Sequence, residues 1–505
     1  MGRGGAEAMA GIGFELKKLF NKEGIISSVF AGLYATIVTI GPTIMVIVAL
    51  NLMYFLLPYI EISLNEREVL SSTILYVFIF ALIIASPVNI VLSRYTADRI
   101  YMEDYDSILP AMDAGNLILA CLTVLTGVPF GLAMYFIGGL ALDYVFVTGL
   151  FYSGLVFSFY YMTFITLLKE YRRITYSFLF GLAAGIMFAW TAVYWLDFPV
   201  TGGILAGLAV SFNLIAMLLL SRMRRNFRNH DNSSLDVLKY FKKHHLLFAA
   251  NVFYTLGLYS HNFVFWFFSP YQVVVAKVFW SAPVYDVVTY LAMLSNISVL
   301  VIFVINAETK FHTAYKAYCE SVIGASGKDI IQARERMTEV LRRELLYIIQ
   351  VQMIINICIF VVVLAFAANL GITGRILTMY PVMSVGYMIL YLIQSMMIFQ
   401  YYLDDAGGAA FGGFLFMAGT AAGSLVCVKF SPAFAGCGVV FGAFISFSFI
   451  FFRIRYKLMH LDEHIFCRGN VAAISVKKRV AEQKKEEQKK VVVYSFKHAL
   501  EREKL

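Results

Sequence analysis

Twelve separate stretches of this chain stay apolar for about twenty residues or longer, and that repetition decides the class of fold before any motif is considered. A helix needs about 20 apolar residues to cross the ~30 Å hydrocarbon core of a bilayer. Inside lipid its backbone polar groups must be satisfied within the element itself. The candidate spans run roughly 26–57, 70–93, 112–137, 143–168, 174–196 and 200–221, then 245–268, 284–306, 345–369, 378–402, 406–428 and 435–452. The chain is 60% hydrophobic and 14% charged, against about 45–50% and about 25% for a soluble domain. The expectation is an all-α, polytopic membrane protein of about twelve transmembrane helices in two six-helix lobes.

The formal charge of +9 raises the question of nucleic acid, and the distribution of the charge answers it. With the N-terminus inside, the inner loops and tail carry 37 of the 41 Lys and Arg residues, and 23 without the tail. The outer loops hold only Arg67, Lys277, Arg375 and Lys429. This is the orientation bias of cytoplasmic loops, so both termini are expected in the cytoplasm of a cell-membrane protein, with no nucleic-acid partner.

A long polar, basic interruption near the middle of the chain is 221–245, SRMRRNFRNHDNSSLDVLKYFKKHH, with seven Lys and Arg. It reads as a long, pliant bridge between two halves that enter the membrane from the same side, as parallel repeats do in several transporter folds. The expected organisation is an N-terminal extension with an interfacial amphipathic helix (1–25), a first lobe (26–221), a cytoplasmic linker (222–244), a second lobe (245–456) and a charged cytoplasmic tail (457–505). The start, MAGIGFELKKLFN from Met9, mixes apolar and charged positions as an interfacial helix does. Residues 1–8 read as an extension ahead of a start at Met9, and no cleavable signal pattern is evident. The six cysteines show no metal or disulfide spacing, and they read as small buried hydrophobes.

Several short segments, in order, resemble the PelG family. They are MAGIGFEL from Met9, TIGP at Thr39–Pro42, SRYTADRIYMEDYDSILP from Ser93, LKEYRRI from Leu168, SAPVYD from Ser281, ETKFHTAYKAY from Glu308 and YLDD from Tyr402. The resemblance covers about residues 9–460 and leaves out the tail after His460. PelG proteins are inner-membrane transporters of the Pel exopolysaccharide system, within the multidrug/oligosaccharidyl-lipid/polysaccharide flippase superfamily. The resemblance implies export of a galactosamine-containing polysaccharide for the biofilm matrix. It also implies work beside a cytoplasmic glycosyltransferase and a cyclic-di-GMP-sensing membrane protein. One departure is that His261 and Asn262 stand before the FWF of the seventh span, where an acid–lysine pair is expected.

The substrate pathway is expected between the first, second, seventh and eighth spans, and its candidate residues are Asp286, His261, Asn262, Tyr285, Tyr259 and Asn89. An ionisable group at membrane depth is costly unless it faces water or a partner. Asp286 therefore serves either the pathway or, near the outer start of its span, the dipole of a helix N-terminus. His261 is either a group that titrates near neutral pH or a histidine hydrogen-bonded to a neighbouring helix. The tyrosines offer an apolar face with a polar handle, which suits sugar rings as well as core packing.

Helix breaks are expected at Gly41–Pro42, at Ser86–Pro87 and around Pro381, with Pro283 near the start of the eighth span. Proline removes a backbone bond, which membranes tolerate beside side chains or a wet cavity. By half-to-half position, Arg172 and Arg173 correspond to Asp404 and Asp405, and these opposite charges are expected to meet as a cytoplasmic gate. Gly181–Gly185 and Gly203–Gly207 carry the spacing of close helix approach. Neither a metal cluster, a cofactor loop nor a catalytic constellation is found, so no enzyme is expected. The rival readings are a flippase for lipid-linked oligosaccharide, a cation-coupled multidrug antiporter, a membrane glycosyltransferase and a scaffold for the synthase.

Overall fold

A computed structural model describes residues 25–168, 170–227, 235–366, 374–430 and 432–461. The expected interfacial helix before residue 25 and the charged tail beyond residue 461 lie outside the described residues, as does 228–234 of the bridge.

The helices follow the apolar stretches. They are α1 (Ile25–Leu56), α2 (Leu64–Tyr101), α3 (Ile108–Phe136), α4 (Leu142–Leu167), α5 (Tyr171–Tyr194) and α6 (Val200–Asn226), then a short α7 (Leu235–Lys243). The second half has α8 (His245–Phe268), the strands β1 (Val273–Val275) and β2 (Phe279–Ser281), and α9 (Pro283–Asn296). After α9 come α10 (Ser298–Ile302), a π-helical turn (Phe303–Glu308), α11 (Thr309–Gly324), α12 (Gly327–Phe366), α13 (Gly374–Tyr402), α14 (Ala406–Cys427) and α15 (Cys437–Met459). Ten of these segments are long and apolar enough to cross a membrane. Helices α1 and α8 fill the places of the first and seventh spans, and the part of α1 from Gly41 to Leu56 is itself apolar. Large apolar residues face outward along α3 and α12, among them Leu125, Val128, Ile357 and Val361. Lipid, with no hydrogen bonds to offer or lose, accepts such a surface.

Two helices outrun the membrane. At 1.5 Å per residue, the 38 residues of α2 and the 40 of α12 span about 57 and 60 Å, roughly twice the hydrocarbon core. The start of α2 is set by a capping box, in which Ser63 Oγ accepts from Glu66 N and Glu66 accepts from Ser63 N. Its C-terminal end continues through the charged SRYTADRIY segment.

By its contacts the chain divides into two units, Met1–Ile450 and Phe451–Leu505, the second beginning inside α15. In the first, α2, α4, α5 and α6 share one core that runs from Val46 to Val237. The glycines expected to bring helices together do so: Gly185 and Gly207 face each other across α5 and α6, and a Cβ on Gly207 would lie 2.6 Å from Gly185 O. In the second half α14 is the tightly packed element. A Cβ on Gly413 would lie 2.9 Å from Ala250 O of α8, while one on Gly419 or Gly423 would lie 3.0 Å from the Cα of Gly442 or Gly438 in α15. Only residues without a side chain let three backbones come this close.

Three expectations change. Gly41, Pro42, Pro87 and Pro381 do not break their helices, because α1, α2 and α13 run through them. Neighbouring helices hold the segments in place where the proline gives up a bond. The true interruption lies in the eighth span, where α9, begun by Pro283 at its first position, passes into α10 and the π-helical turn. The bridge, in turn, is helical at both its described ends. Helix α6 runs to Asn226, and α7 joins the first half through buried Val237 and through Tyr240, which donates to Asp98 Oδ2 at 2.6 Å.

Between α8 and α9 lies a β-hairpin with the register Val273↔Ser281, Val274↔Trp280 and Val275↔Phe279. Val278 N donates to Val275 O at 3.3 Å, and the central residues Ala276 and Lys277 both have positive φ, 48° and 57°. Two successive residues in the left-handed region are ordinarily glycine or asparagine; here the turn is built without either. Left-handed backbone costs about 1–2 kcal/mol for each such residue.

Candidate functional site

The two halves meet along α2 and α8, which run antiparallel. From Tyr76 to Arg94 along α2 is about 27 Å by helix rise, enough for contacts near both faces of the membrane. Midway, Ser86 Oγ accepts from Asn251 Nδ2 at 2.8 Å and from Thr255 Oγ1 at 3.3 Å. The residue before Pro87 thus belongs to the seam between halves.

Asp286 sits near the Tyr76 end of that seam, in the first turn of α9. Its carboxylate accepts from Asn262 Nδ2 at 2.9 Å, from Trp266 Nε1 at 2.9 and 3.1 Å, and from Ala282 N at 3.0 Å. Three donors, two of them one helical turn apart on α8, converge on one acid. No basic side chain pairs with it among the described residues. The Oδ1 of the same Asn262, and Thr289 Oγ1 three residues after Asp286, are buried with no hydrogen-bond partner among the described residues. A carboxylate held by neutral donors alone keeps its affinity for a cation, an ammonium or a hydroxyl that reaches it.

The pathway candidates separate into groups. His261, with 0% of its surface exposed, lies between two hydroxyls: Nδ1 is 2.9 Å from Tyr285 Oη, and Nε2 is 3.3 Å from Tyr387 Oη. A histidine packed edge-on to both rings fits the hydrogen-bonded alternative. Tyr285 also stacks on Phe265 at 3.8 Å. Tyr259 lies with Tyr254, Tyr387 and Tyr391 in a tyrosine cluster of the second half. Asn89 stands apart: its Nδ2 donates to Phe159 O of α4 at 3.3 Å. Asn262 and Asp286 are therefore the nominated residues that touch one another, with Tyr285 and His261 forming a second pair alongside.

The expected gate is not the pairing found. Asp404 is held by Arg94 of α2 at 3.1 Å, and Asp405 caps α14 by accepting from Gly408 N at 3.4 Å. Arg172 and Arg173 are exposed at the start of α5. Matching loops by position assumed short loops, whereas the C-terminal extension of α2 delivers Arg94 to the end of α13. Near Arg172, Glu170 takes a bidentate pair from Arg222 at 2.6 Å to each oxygen, which holds its carboxyl below the usual range.

Reading the sequence missed the first-half residue that backs Trp266, one of the donors to Asp286. Trp266 stacks on Tyr76 at 4.9 Å and 8°, and the Tyr76 hydroxyl donates to Trp280 O and accepts from Trp280 N, both at 2.8 Å. Among 31 tyrosines nothing marks Tyr76. A polar knot was also missed, although polar residues in apolar spans could have signalled it. Asn296 Nδ2 donates to Ser384 O, and Asn296 Oδ1 accepts from Gln352 Nε2 and Asn356 Nδ2. This knot satisfies itself and ties the interrupted span to α12 and α13. Among the described residues no three His, Cys, Asp or Glu side chains gather as metal ligands would.

The PelG family model, described as a putative exopolysaccharide exporter (EPS-E), matches residues 9–466. No curated protein matches the chain. Solved structures do. An outward-facing multidrug resistance MATE family transporter of the MOP superfamily is 14% identical, with a TM-score of 0.58 over 85% of this chain and 96% of that one. A MATE in the straight conformation gives 14%, 0.58, 91% and 99%. A MOP superfamily transporter from Pyrococcus furiosus gives 14%, 0.57, 91% and 98%. At this identity they show a shared fold, that of MATE-like MOP transporters.

Proposed function

The chain belongs to the PelG exopolysaccharide exporter family, and from that premise we propose that it carries a Pel-type, galactosamine-containing polysaccharide across the cytoplasmic membrane for the biofilm matrix. The polymer passes between two lobes, 26–221 and 245–456, joined by the segment 222–244, with the termini 1–25 and 457–505 on the cytoplasmic side. The lobes rock about the α2–α8 seam, or yield to a chain pushed by its own synthesis. A cytoplasmic glycosyltransferase supplies the chain, beside a cyclic-di-GMP-sensing membrane partner.

One observation carries the reading: an acid with neutral donors only, Asp286, set among aromatic rings where the halves meet. Aromatic faces let sugar rings slide, and the carboxylate offers them an acceptor without a counter-ion to displace. The test is secreted galactosamine-rich polymer in a strain whose own copy is replaced by Asp286→Asn. We expect a loss of about tenfold or more, the factor that 1.4 kcal/mol represents, with protein levels unchanged. Undiminished export would remove Asp286 from the pathway. If deleting the whole gene leaves the polymer intact and instead stalls a lipid-linked oligosaccharide, the flippase reading replaces this one.

A further inference from the structure

We propose that the hairpin 273–281, seated on Tyr76 and Phe130 of the first half, is the outer gate of the transport path. The inference rests on the export reading and on its orientation, with the α8–α9 connection on the outer side.

The hairpin is covalently part of the second half, since it links α8 to α9. Its contacts, however, reach the first half. Phe279, fully buried, meets Tyr76 edge-on at 5.2 Å and Phe130 at 5.7 Å. The Tyr76 hydroxyl takes both backbone groups of Trp280, on the strand edge facing away from β1. Gly138, in the connection between α3 and α4, leaves room for the tip: a Cβ there would lie 3.2 Å from both Ala276 O and Val278 Cγ2. The other face of the Tyr76 ring is covered by Trp266, whose indole N–H is bound to Asp286.

These contacts make one unit. To part the outer ends of the halves, Phe279 must leave its aromatic box and the two Tyr76–Trp280 bonds must break. Because Trp266 lies between Tyr76 and Asp286, a sugar that takes the carboxylate also competes with the stack that keeps the hairpin shut. Asp286 is then the place where cargo is sensed, and the hairpin is what moves. Tyr76 acts through Trp266 and Trp280 and is a positioning residue, separate from the group that meets cargo.

Two experiments test this in membranes holding the full chain. In the first, Val275→Cys, a buried hairpin position that leaves Phe279 in place, is labelled from outside by an impermeant maleimide, read by peptide mass mapping so that the native cysteines do not interfere. Adding Tyr76→Phe should raise the labelling rate several-fold, while Lys277→Cys at the tip labels at the same rate in both backgrounds. Equal rates at position 275 would overturn the proposal, whether or not the protein exports polymer. In the second, the pair Phe130→Cys and Phe279→Cys is bridged with a short bifunctional thiosulfonate. Export should fall to the level of the deletion strain and return on reduction. Export that continues with the bridge confirmed by mapping would show that the hairpin does not gate. A deletion strain that still secretes polymer would instead refute the export reading, leaving the labelling result to stand alone.

Discussion

On the orientation proposed above, the α2–α8 seam has an outer end at Tyr76 and an inner end at Arg94, and the two close by different physics. At the outer end the closing groups are buried and aromatic, with Tyr76, Trp266 and Phe279 stacked or edge-on and the hydrogen bonds shielded among them. At the inner end the closing pair is ionic and wet: the Arg94 and Asp404 side chains are 30% and 68% exposed. A shielded contact loses little to salt, whereas an exposed ion pair is worth about 0.2–1 kcal/mol and is screened. The outer end is built to stay shut until something competes for it, and the inner end to open on small provocation. On the proposed export reading, the tighter closure stands on the side where leakage would matter.

The most severe way to break this contrast is Phe279→Ala. Emptying its box should cost about 3–5 kcal/mol, measured as a lower unfolding temperature in detergent and as faster outside labelling of neighbouring positions. A change as small as that of a surface residue would mean the outer end is not held by burial. Next comes Tyr76→Phe, which leaves the Trp280 backbone groups without their partner at about 1–3 kcal/mol. Its effect should be unchanged between low and high salt.

The inner end should answer oppositely. Arg94→Asp and Asp404→Arg should each lower export by a factor of a few, the double swap should restore it, and high salt should mimic the single changes in wild type. A double swap as weak as the singles would remove this pair from the closing of the inner end. The smallest effect belongs to Glu170. Its carboxyl titrates below the ordinary value of 4.5 because Arg222 binds its charged form. A depressed acid contributes stability above its unfolded value and loses it as pH falls through the folded value. Glu170→Gln should therefore be less stable than wild type at neutral pH and should close that gap in acid, followed by thermal unfolding across pH.

The spans were legible because each is a long apolar run, and His245–Phe268 was placed to the residue. The ends of α2 and α12 were not, since a helix that leaves the membrane turns polar without ceasing to be helical. That one blindness also misplaced the inner pair, because it hid how far Arg94 travels. Asp286 and Asn262 were nominated by cost, as polar groups where lipid offers nothing. Tyr76 was invisible for the converse reason: a tyrosine in a tyrosine-rich chain costs nothing remarkable, and its meaning comes from the strand that docks on it. The prolines misled because sequence reports the lost bond and not the neighbours that make the loss bearable.

The glycines of α14 have a mechanical consequence. Where Gly413 meets α8 and where Gly419 and Gly423 meet α15, backbone rests on backbone with no side chain between, so α14 has little room to slide or turn against either neighbour. Strain applied where α8 meets α2 is then passed on without being absorbed. The second lobe behaves as a beam rather than a spring, and whatever parts the seam at one end is obliged to move the other.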